Sequence, residues 1–132
     1  MNLHTLLSAR AAGGRPVRLG LIGAGKFGSM VLAQAQRIDG LHVVAVADLD
    51  VGKAREAMRR VGWASERYAA ASAAEALGTG ATFVTDHVEA LFGCAEIDCV
   101  IEATGHPIAG ARHALGAIEH GMHVVMVTSR RT

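Results

Sequence analysis

The sequence predicts an α/β fold in which about five parallel strands form a doubly wound sheet in the order 3-2-1-4-5. Short runs rich in Val, Leu and Ile alternate along the chain with segments of helical periodicity. Glycine supplies 16 of the 132 residues and aromatic residues only 4%, so the core must be built from small aliphatic side chains. Right-handed helical crossovers between such strands give a parallel sheet with helices on both faces.

The overall composition excludes several classes of protein. The 13 basic and 12 acidic residues leave a formal charge of +1 without a basic block, so no nucleic-acid partner is expected. Two cysteines, Cys94 and Cys99, are too few for a disulfide framework or a zinc site, and no metal site is expected. Residues 1–16 contain no continuous apolar run, so neither a signal peptide nor a membrane anchor is expected. A cytoplasmic location follows as the expectation.

The first part of the chain contains two predicted strands separated by a helix. Apolar runs at residues 17–22 and 42–47 predict the first and second strands. Gly40 would stop the intervening helix, and a further short amphipathic helix is predicted over residues 2–12. The intervening helix is predicted to bury the apolar residues that recur at helical spacing, namely Phe27, Met30, Val31, Ala35 and Ile38.

The middle of the chain predicts a capped helix, a less regular stretch and a short strand. Asp50 can cap a helix that ends near Val61. Residues 62–80 are rich in Ala, Ser and Gly, and a short helix is predicted around residues 72–77. The third strand is expected at residues 81–84. The capped helix is predicted to bury Ala54, Ala57, Met58 and Val61.

The last part of the chain predicts two helices and two strands. Asp86 and Glu89 have the spacing of a capping box and predict a helix that carries Val88, Leu91 and Phe92. Residues 98–101 and 123–127 predict the fourth and fifth strands. Pro107 fits the first turn of the helix between them. That helix is predicted to bury Ile108, Ala111, Leu115 and Ile118.

A glycine motif follows the first strand and opens the first helix. Gly23, Gly25 and Gly28 form G-x-G-x-x-G, which in this context is typical of a Rossmann-like dinucleotide site that would also include Lys26 and Phe27. The first glycine permits a tight turn, the second lets a pyrophosphate approach the backbone, and the third lets the helix lie close to the sheet. Free N–H groups at the helix start would then face the phosphates. The alternative is a turn that merely happens to use glycines.

Polar side chains near the motif bear on the choice of cofactor. Asp48 ends the second strand, about 20 residues after the motif, where a carboxylate can accept hydrogen bonds from the adenosine ribose. The alternative role is a helix cap, for which Asp50 is better placed. Lys26 is either a phosphate contact or a solvated lysine of the first helical turn. A carboxylate at position 48 favours NAD, whereas Lys53 and Arg55 could meet a 2′-phosphate, so the cofactor is expected to be NADP or NAD.

A second polar cluster, Glu-Ala-Thr-Gly-His-Pro at residues 102–107, follows the fourth strand. In the predicted order this strand lies beside the first, where the switch point of the sheet opens a crevice. Thr104 and Gly105 are predicted to line the central and nicotinamide portions of the cofactor. Glu102, an acid at the end of a buried strand, could cap a turn or bind a ribose. His106 either orients a ligand or is an ordinary turn histidine.

Two segments resemble a known family. Residues 17–47, with the glycine motif, and residues 98–105 resemble the NAD(P)-binding domain of homoserine dehydrogenase-like oxidoreductases, and the resemblance extends over roughly residues 1–127. The most similar branch carries a later SAF domain and includes reductoisomerase-like enzymes that use NADPH, which implies NADP. The glucose–fructose oxidoreductase-like family is similar over the first two strands, but it would show Glu-Lys-Pro where this chain has Met126-Val127-Thr128.

The homoserine dehydrogenase-like pattern also stops after Val127, so no catalytic residue is carried over. We expect residues 1–15 to form an N-terminal arm or short helix, residues 16–128 the dinucleotide-binding domain and residues 129–132 a tail, in a truncated chain that lacks the catalytic domain. The full-length parent would act on a small-molecule substrate and form a homo-oligomer. The alternatives are a nucleotide- or redox-sensing module without catalysis, or a CoA-binding domain that uses the same crevice.

Overall fold

The computed structural model describes residues 16–127, which contain a single five-stranded sheet with helices on both faces. All strand pairs are parallel and the strand order is 3-2-1-4-5, so the predicted fold class and order are confirmed. The predicted helix at residues 2–12 lies outside the described residues. In chain order, the elements are β1 (Val17–Ile22), α1 (Lys26–Ala35), β2 (Leu41–Ala47), α2 (Val51–Arg60), a 3-10 helix (Ser65–Tyr68), α3 (Ala73–Thr79), β3 (Phe83–Thr85), α4 (Val88–Phe92), β4 (Cys99–Glu102), α5 (Pro107–Glu119) and β5 (His123–Met126).

The core consists of two apolar clusters, one on each face of the sheet. Leu21 and Ile22 are consecutive on β1 and belong to different clusters, because successive side chains of a strand point to opposite faces. Leu32 of α1 and Met58 of α2 pack in the first cluster. Leu91 of α4 packs in the second. Burying each of these large aliphatic side chains contributes roughly 1.5–3 kcal/mol before the cost in conformational entropy.

The register of the central strands places their carboxyl ends side by side. Ile22, the last residue of β1, pairs with Ala47 of β2 and with Glu102 of β4. The connections that follow these three strands therefore leave the same edge of the sheet. Between β1 and β4 the strand order reverses, and the crevice of a doubly wound fold opens at such a switch point.

The buried face of α1 agrees with the prediction at Ala35, and Phe27 and Val31 also pack against the core, but it differs at Met30. The buried residues are Gly28, Leu32 and Ala35, whereas Met30 is 58% exposed and the helix ends at Ala35 instead of continuing to Ile38. The reason is the close contact of the helix with the sheet at Gly28, which sets the rotation of the helix about its axis. The stripe through Gly28 then faces the strands, and Met30 faces solvent.

Of the two predicted helix caps, one is confirmed and the other is wrong. Asp50 accepts a hydrogen bond from the N–H of Lys53 at 3.0 Å and caps α2. The capping box at Asp86 does not form, because His87 is the N-cap residue of α4 and makes no side-chain capping bond. Instead, Thr85 Oγ1 accepts the N–H of His87 at 3.0 Å. The strand β3 starts and ends later than predicted, and its last residue, Thr85, supports the turn into α4.

The buried face of α5 also differs from the prediction. Its buried residues are Gly110 and Ala117. Ala111 is exposed, and Ile108, Leu115 and Ile118 are 74%, 60% and 61% exposed. Small residues face the sheet because the helix lies too close to it for larger ones: a Cβ at Gly110 would lie 3.2 Å from Met126 Cε. The large apolar side chains therefore lie on the solvent-facing side of the helix.

The exposed apolar side chains predict that the 132-residue chain self-associates. Leu115 and Ile118 are exposed on α5, and Val125 and Met126 are 51% and 45% exposed on the edge strand β5. Exposed apolar edges and stripes favour association. Replacing both Leu115 and Ile118 with Glu should shift sedimentation velocity profiles towards the monomer and leave the thermal midpoint nearly unchanged, because both side chains already contact water.

Met30→Glu supplies the matched control, since Met30 is also an exposed apolar residue on a helix, on the other side of the sheet. It should not alter the association. A parent chain that sediments as a monomer at every accessible concentration would contradict this prediction.

Candidate cofactor site

The three motif glycines have different surroundings in the structure. Gly23 has a φ of +95°, which favours glycine, and its N–H donates to the carbonyl of Ala47 at 2.8 Å. A Cβ at Gly28 would lie 2.0 Å from the carbonyl oxygen of Gly23, so no side chain fits there. A Cβ at Gly25 would meet no atom within 4 Å. Gly23 and Gly28 are thus needed by the fold, while Gly25 leaves open space at the surface of the turn.

The beginning of α1 offers backbone donors to a ligand. Gly25 is the N-cap residue and makes no side-chain capping bond, and the first helical turn contains no acidic residue. The first N–H groups of an α-helix have no partner within the helix, and the positive end of its dipole lies there. This end of α1 therefore suits an anionic group such as a pyrophosphate.

The carboxylate of Asp48 ties the end of β2 to the glycine turn. Its Oδ2 accepts the N–H of Ala24 at 2.8 Å, and its Oδ1 accepts the N–H of Asp50 at 2.9 Å. Asp48 is not the cap of α2, because Asp50 accepts the N–H of Lys53. A carboxylate oxygen has more than one lone pair, so both oxygens can still accept a hydroxyl. The structure thus adds a bracing role to the predicted ribose contact.

The second polar cluster is held by a buried acid and a histidine. Glu102 is 2% exposed, and its Oε1 accepts the N–H and the hydroxyl of Thr104 at 2.9 and 2.5 Å. Its Oε2 accepts Nδ1–H of His113 at 2.5 Å. Glu102 therefore caps a turn, one of the two roles predicted for it. Sequence reasoning missed His113, although a buried carboxylate signals that a donor must exist elsewhere in the chain.

The glycine turn and the Thr104 turn lie against each other at the switch point. Ala103 N–H donates to the carbonyl of Ile22 at 2.8 Å, which extends the pairing of β1 with β4. A Cβ at Gly23 would lie 2.9 Å from Thr104 N, so the two turns are in close contact. Gly105 has a φ of +74°, and exposed His106 is the N-cap residue of α5. The two predicted clusters therefore lie next to each other at the carboxyl edge of the sheet.

Two predicted residues of the first cluster have different surroundings. Phe27 is half-buried and packs against the apolar cluster on its face of the sheet. Lys26 is exposed on the first turn of α1. The packing of Phe27 holds α1 in place, while its contact with a cofactor stays a prediction. The exposed ammonium of Lys26 remains free to approach a phosphate.

Other features of the described residues do not suggest a competing site. Two surface cavities of about 420 and 500 Å³ include no residue of the glycine turn, and the first lies at the amino ends of β1 and β2. Burial raises the pKa of the thiols of Cys94 and Cys99, which disfavours the nucleophilic thiolate. Within residues 16–127 no cluster of His, Cys, Asp or Glu could hold a metal ion. No helix in that range is long and apolar enough to cross a membrane.

Comparison with known proteins identifies the family. The family model GFO/IDH/MocA, described as an oxidoreductase family with an NAD-binding Rossmann fold, matches residues 17–126. The chain belongs to this family. It is therefore an NAD-binding Rossmann domain of an oxidoreductase, and the prediction of a dinucleotide cofactor is confirmed. No curated protein matches the chain in sequence.

Solved structures of dehydrogenases share the fold of this GFO/IDH/MocA domain. Myo-inositol dehydrogenase from Lactobacillus casei, in complex with NAD(H) and myo-inositol, is 23% identical with a TM-score of 0.61 over 84% of this chain and 28% of its own. A dehydrogenase from Chromobacterium violaceum is 22% identical with a TM-score of 0.60, over 84% and 27%. Levoglucosan dehydrogenase in complex with NADH is 21% identical with a TM-score of 0.59, over 85% and 27%. The chain thus spans less than a third of these proteins.

The family match corrects the resemblance drawn from the sequence. The GFO/IDH/MocA model continues to residue 126, whereas the sequence alone limited that similarity to the first two strands. The homoserine dehydrogenase-like assignment gains no support from these comparisons. It rested on short motifs at strand ends, and related doubly wound domains place similar turns at the same crevice, so these motifs do not separate the families.

The open space at Gly25 predicts that Gly25→Val abolishes cofactor binding without unfolding the chain. The valine would occupy the region where a pyrophosphate approaches α1, yet it meets no protein atom within 4 Å at Cβ. The dissociation constant for NADH, measured by nicotinamide fluorescence, should rise by at least about 100-fold, or roughly 2.8 kcal/mol.

Gly78→Val is the matched control, because Gly78 of α3 likewise has nothing within 4 Å of a Cβ. It should retain NADH affinity. Gly28→Ala should instead lower the thermal midpoint, owing to the clash with the Gly23 carbonyl. A folded Gly25→Val chain with unchanged affinity would overturn the phosphate role of this turn.

Proposed function

We propose that this NAD-binding domain serves a dehydrogenase or reductase that interconverts an alcohol and a carbonyl group on a small-molecule substrate. The observation that carries the proposal is the braced glycine turn at the switch point, where Asp48 holds Ala24 and leaves the N-terminus of α1 open. The site fits a dinucleotide, because Gly25 leaves space where a Cβ would otherwise stand. NAD, when bound, supplies the hydride-carrying nicotinamide.

The residues of this chain bind and orient the cofactor. The N–H groups at the start of α1 hold the phosphates, and Asp48 accepts hydrogen bonds from the adenosine ribose. Lys26 approaches a phosphate from the exposed side of the turn. Thr104, Gly105 and His106 line the crevice beside the nicotinamide end. Catalytic acid–base groups are expected in the part of the whole protein that has no counterpart here, since the chain spans 28% of the myo-inositol dehydrogenase it matches.

The substrate class that best fits the proposal is a polar alcohol or its ketone. One structural neighbour holds myo-inositol and another holds levoglucosan, and both compounds are rich in hydroxyl groups. A substrate panel should therefore begin with cyclic polyols and sugars. The reductoisomerase-like alternative would be tested in the same assay by phosphorylated aldehydes and ketones with NADPH.

A sensing module without catalysis is the second candidate function. The sequence at positions 126–128 favours it: Met126-Val127-Thr128 stand where the glucose–fructose oxidoreductase-like pattern would show Glu-Lys-Pro. Such a module would bind NADH through the same turn and show no turnover even when it is part of the whole protein. Turnover of any alcohol or carbonyl substrate by the whole protein would exclude it.

Titration with NADH, NADPH and coenzyme A tests the proposal. Saturable nicotinamide fluorescence together with a raised thermal midpoint is expected for a dinucleotide. Stabilisation by coenzyme A without a response to either dinucleotide would overturn the proposal and favour a CoA-binding domain.

Asp48 predicts a preference for NAD over NADP. A carboxylate that accepts ribose hydroxyls repels a 2′-phosphate. Asp48→Ser should weaken NADH binding by about tenfold, the loss of roughly one hydrogen bond to a charged group, while NADPH binding is retained or improved. The ratio of the two dissociation constants is the measurement.

Asp50→Ser is the matched control, because it removes the same charge two residues away and serine still caps a helix. It should leave the NADH to NADPH ratio unchanged. If both variants alter the ratio equally, the effect is one of net charge and Asp48 does not recognise the ribose.

A further inference from the structure

Glu102 is hydrogen-bonded to two separate parts of the chain, the turn that follows β4 and helix α5. Its carboxylate is 2% exposed and accepts three hydrogen bonds, two from Thr104 and one from His113. The hydroxyl of Thr104 in turn accepts the N–H of His106 at 3.2 Å. A continuous chain of hydrogen bonds therefore runs from α5, through the end of β4, to the turn that lines the crevice.

Helix α5 packs closely against the carboxylate of Glu102. A Cβ at Gly110 would lie 3.5 Å from Glu102 Oε1 and 3.2 Å from Met126 Cε, so this glycine lets α5 lie directly on the carboxylate. His113 lies about one turn further along the same helix and reaches the other oxygen. An ionised buried carboxylate is costly unless its oxygens are hydrogen-bonded, and here both are.

His113 does not line the crevice. It lies on α5 with 20% of its side chain exposed, and its described contact with the site passes through Glu102. If the carboxylate lost the His113 hydrogen bond, Oε2 would be left without this donor and the carboxylate could rotate away from Thr104. The conformation of the turn therefore depends on a helix residue outside the cofactor site.

We propose that His113 and Glu102 form a positioning pair that fixes the Thr104–His106 turn for the nicotinamide end of the cofactor. This inference rests on the proposed function, since it takes that turn to be the nicotinamide-side contact. The glycine turn, held separately by Asp48, keeps the adenosine half. Loss of the pair should therefore weaken binding of the nicotinamide half of the cofactor and leave binding of the adenosine half unchanged.

Comparing NADH with ADP-ribose, which lacks the nicotinamide, separates the two halves. His113→Leu in the 132-residue chain should weaken NADH binding by about tenfold, the loss of roughly one hydrogen bond to a charged group. ADP-ribose affinity should stay within about twofold, because the hydrogen bonds of Asp48 that hold the glycine turn involve neither Glu102 nor His113. The nicotinamide emission of bound NADH should also change in intensity, and the Thr104 amide should exchange with solvent faster in the ligand-free chain.

His113→Asn is the conservative variant, because an asparagine N–H can take the place of Nδ1–H. It should restore most of the NADH affinity. His120→Leu is the matched control just beyond the same helix: His120 Nδ1 lies 2.8 Å from the carbonyl of Gly116, and its ring stacks on Phe92, away from the turn. It should leave the NADH to ADP-ribose ratio unchanged.

The outcomes distinguish this inference from the proposed function. A parent chain that binds neither NADH nor ADP-ribose refutes the proposed function and the inference with it. A parent chain that binds both, with His113→Leu lowering the two affinities equally or lowering neither, overturns the inference alone. The inference is also overturned if His113→Asn behaves like His113→Leu. Selective loss of NADH affinity with recovery in His113→Asn supports it.

Discussion

The close contact between Gly28 and the carbonyl oxygen of Gly23 sets the position of α1 on the sheet. A Cβ at Gly28 would lie 2.0 Å from that oxygen, so no other residue allows the helix to start where it does. The contact turns the stripe through Leu32 and Ala35 towards the strands. It also directs the beginning of the helix towards the carboxyl edge of the sheet, where Asp48 fixes the turn through Ala24. The candidate phosphate site is a consequence of this packing.

Glycines also allow close packing on the other face of the sheet, between β1 and α4 and between α5 and α4. A Cβ at Gly20 of β1 would lie 2.9 Å from Leu91, and a Cβ at Gly116 of α5 would lie 2.7 Å from Phe92. Because these glycines have no side chain, Leu91 and Phe92 of α4 can pack against them. The cost of this arrangement is that α5 turns its own large apolar residues, such as Leu115, towards solvent. An apolar residue in the right period is therefore not always a core residue, because close helix contacts select small ones.

The second polar cluster, around the buried carboxylate of Glu102, also depends on a close contact between a helix glycine and the sheet. Gly110 lets α5 approach, and that approach brings His113 within 2.5 Å of Glu102 Oε2. Three hydrogen bonds then offset the desolvation of the charge. The two turns at the switch point thus have separate side-chain supports, one held by Asp48 and the other by Glu102.

The sequence by itself determined the alternation of strands and helices, the strand order, the glycine motif and the acid at the end of β2. Only the tertiary structure decided which helix faces are buried and which distant residues are in contact. The first group depends on local periodicity and turn chemistry that adjacent residues encode, as with Asp50, whose N–H partner lies three residues away. The family required comparison over residues 17–126, because short strand-end motifs recur among related domains. Met30 and Ile118 lie at helical spacing, yet close glycine contacts rotate both towards solvent. The hydrogen bond from His113 to Glu102 likewise depends on how closely a helix and a strand pack, and that distance is set by the side chains of both elements together.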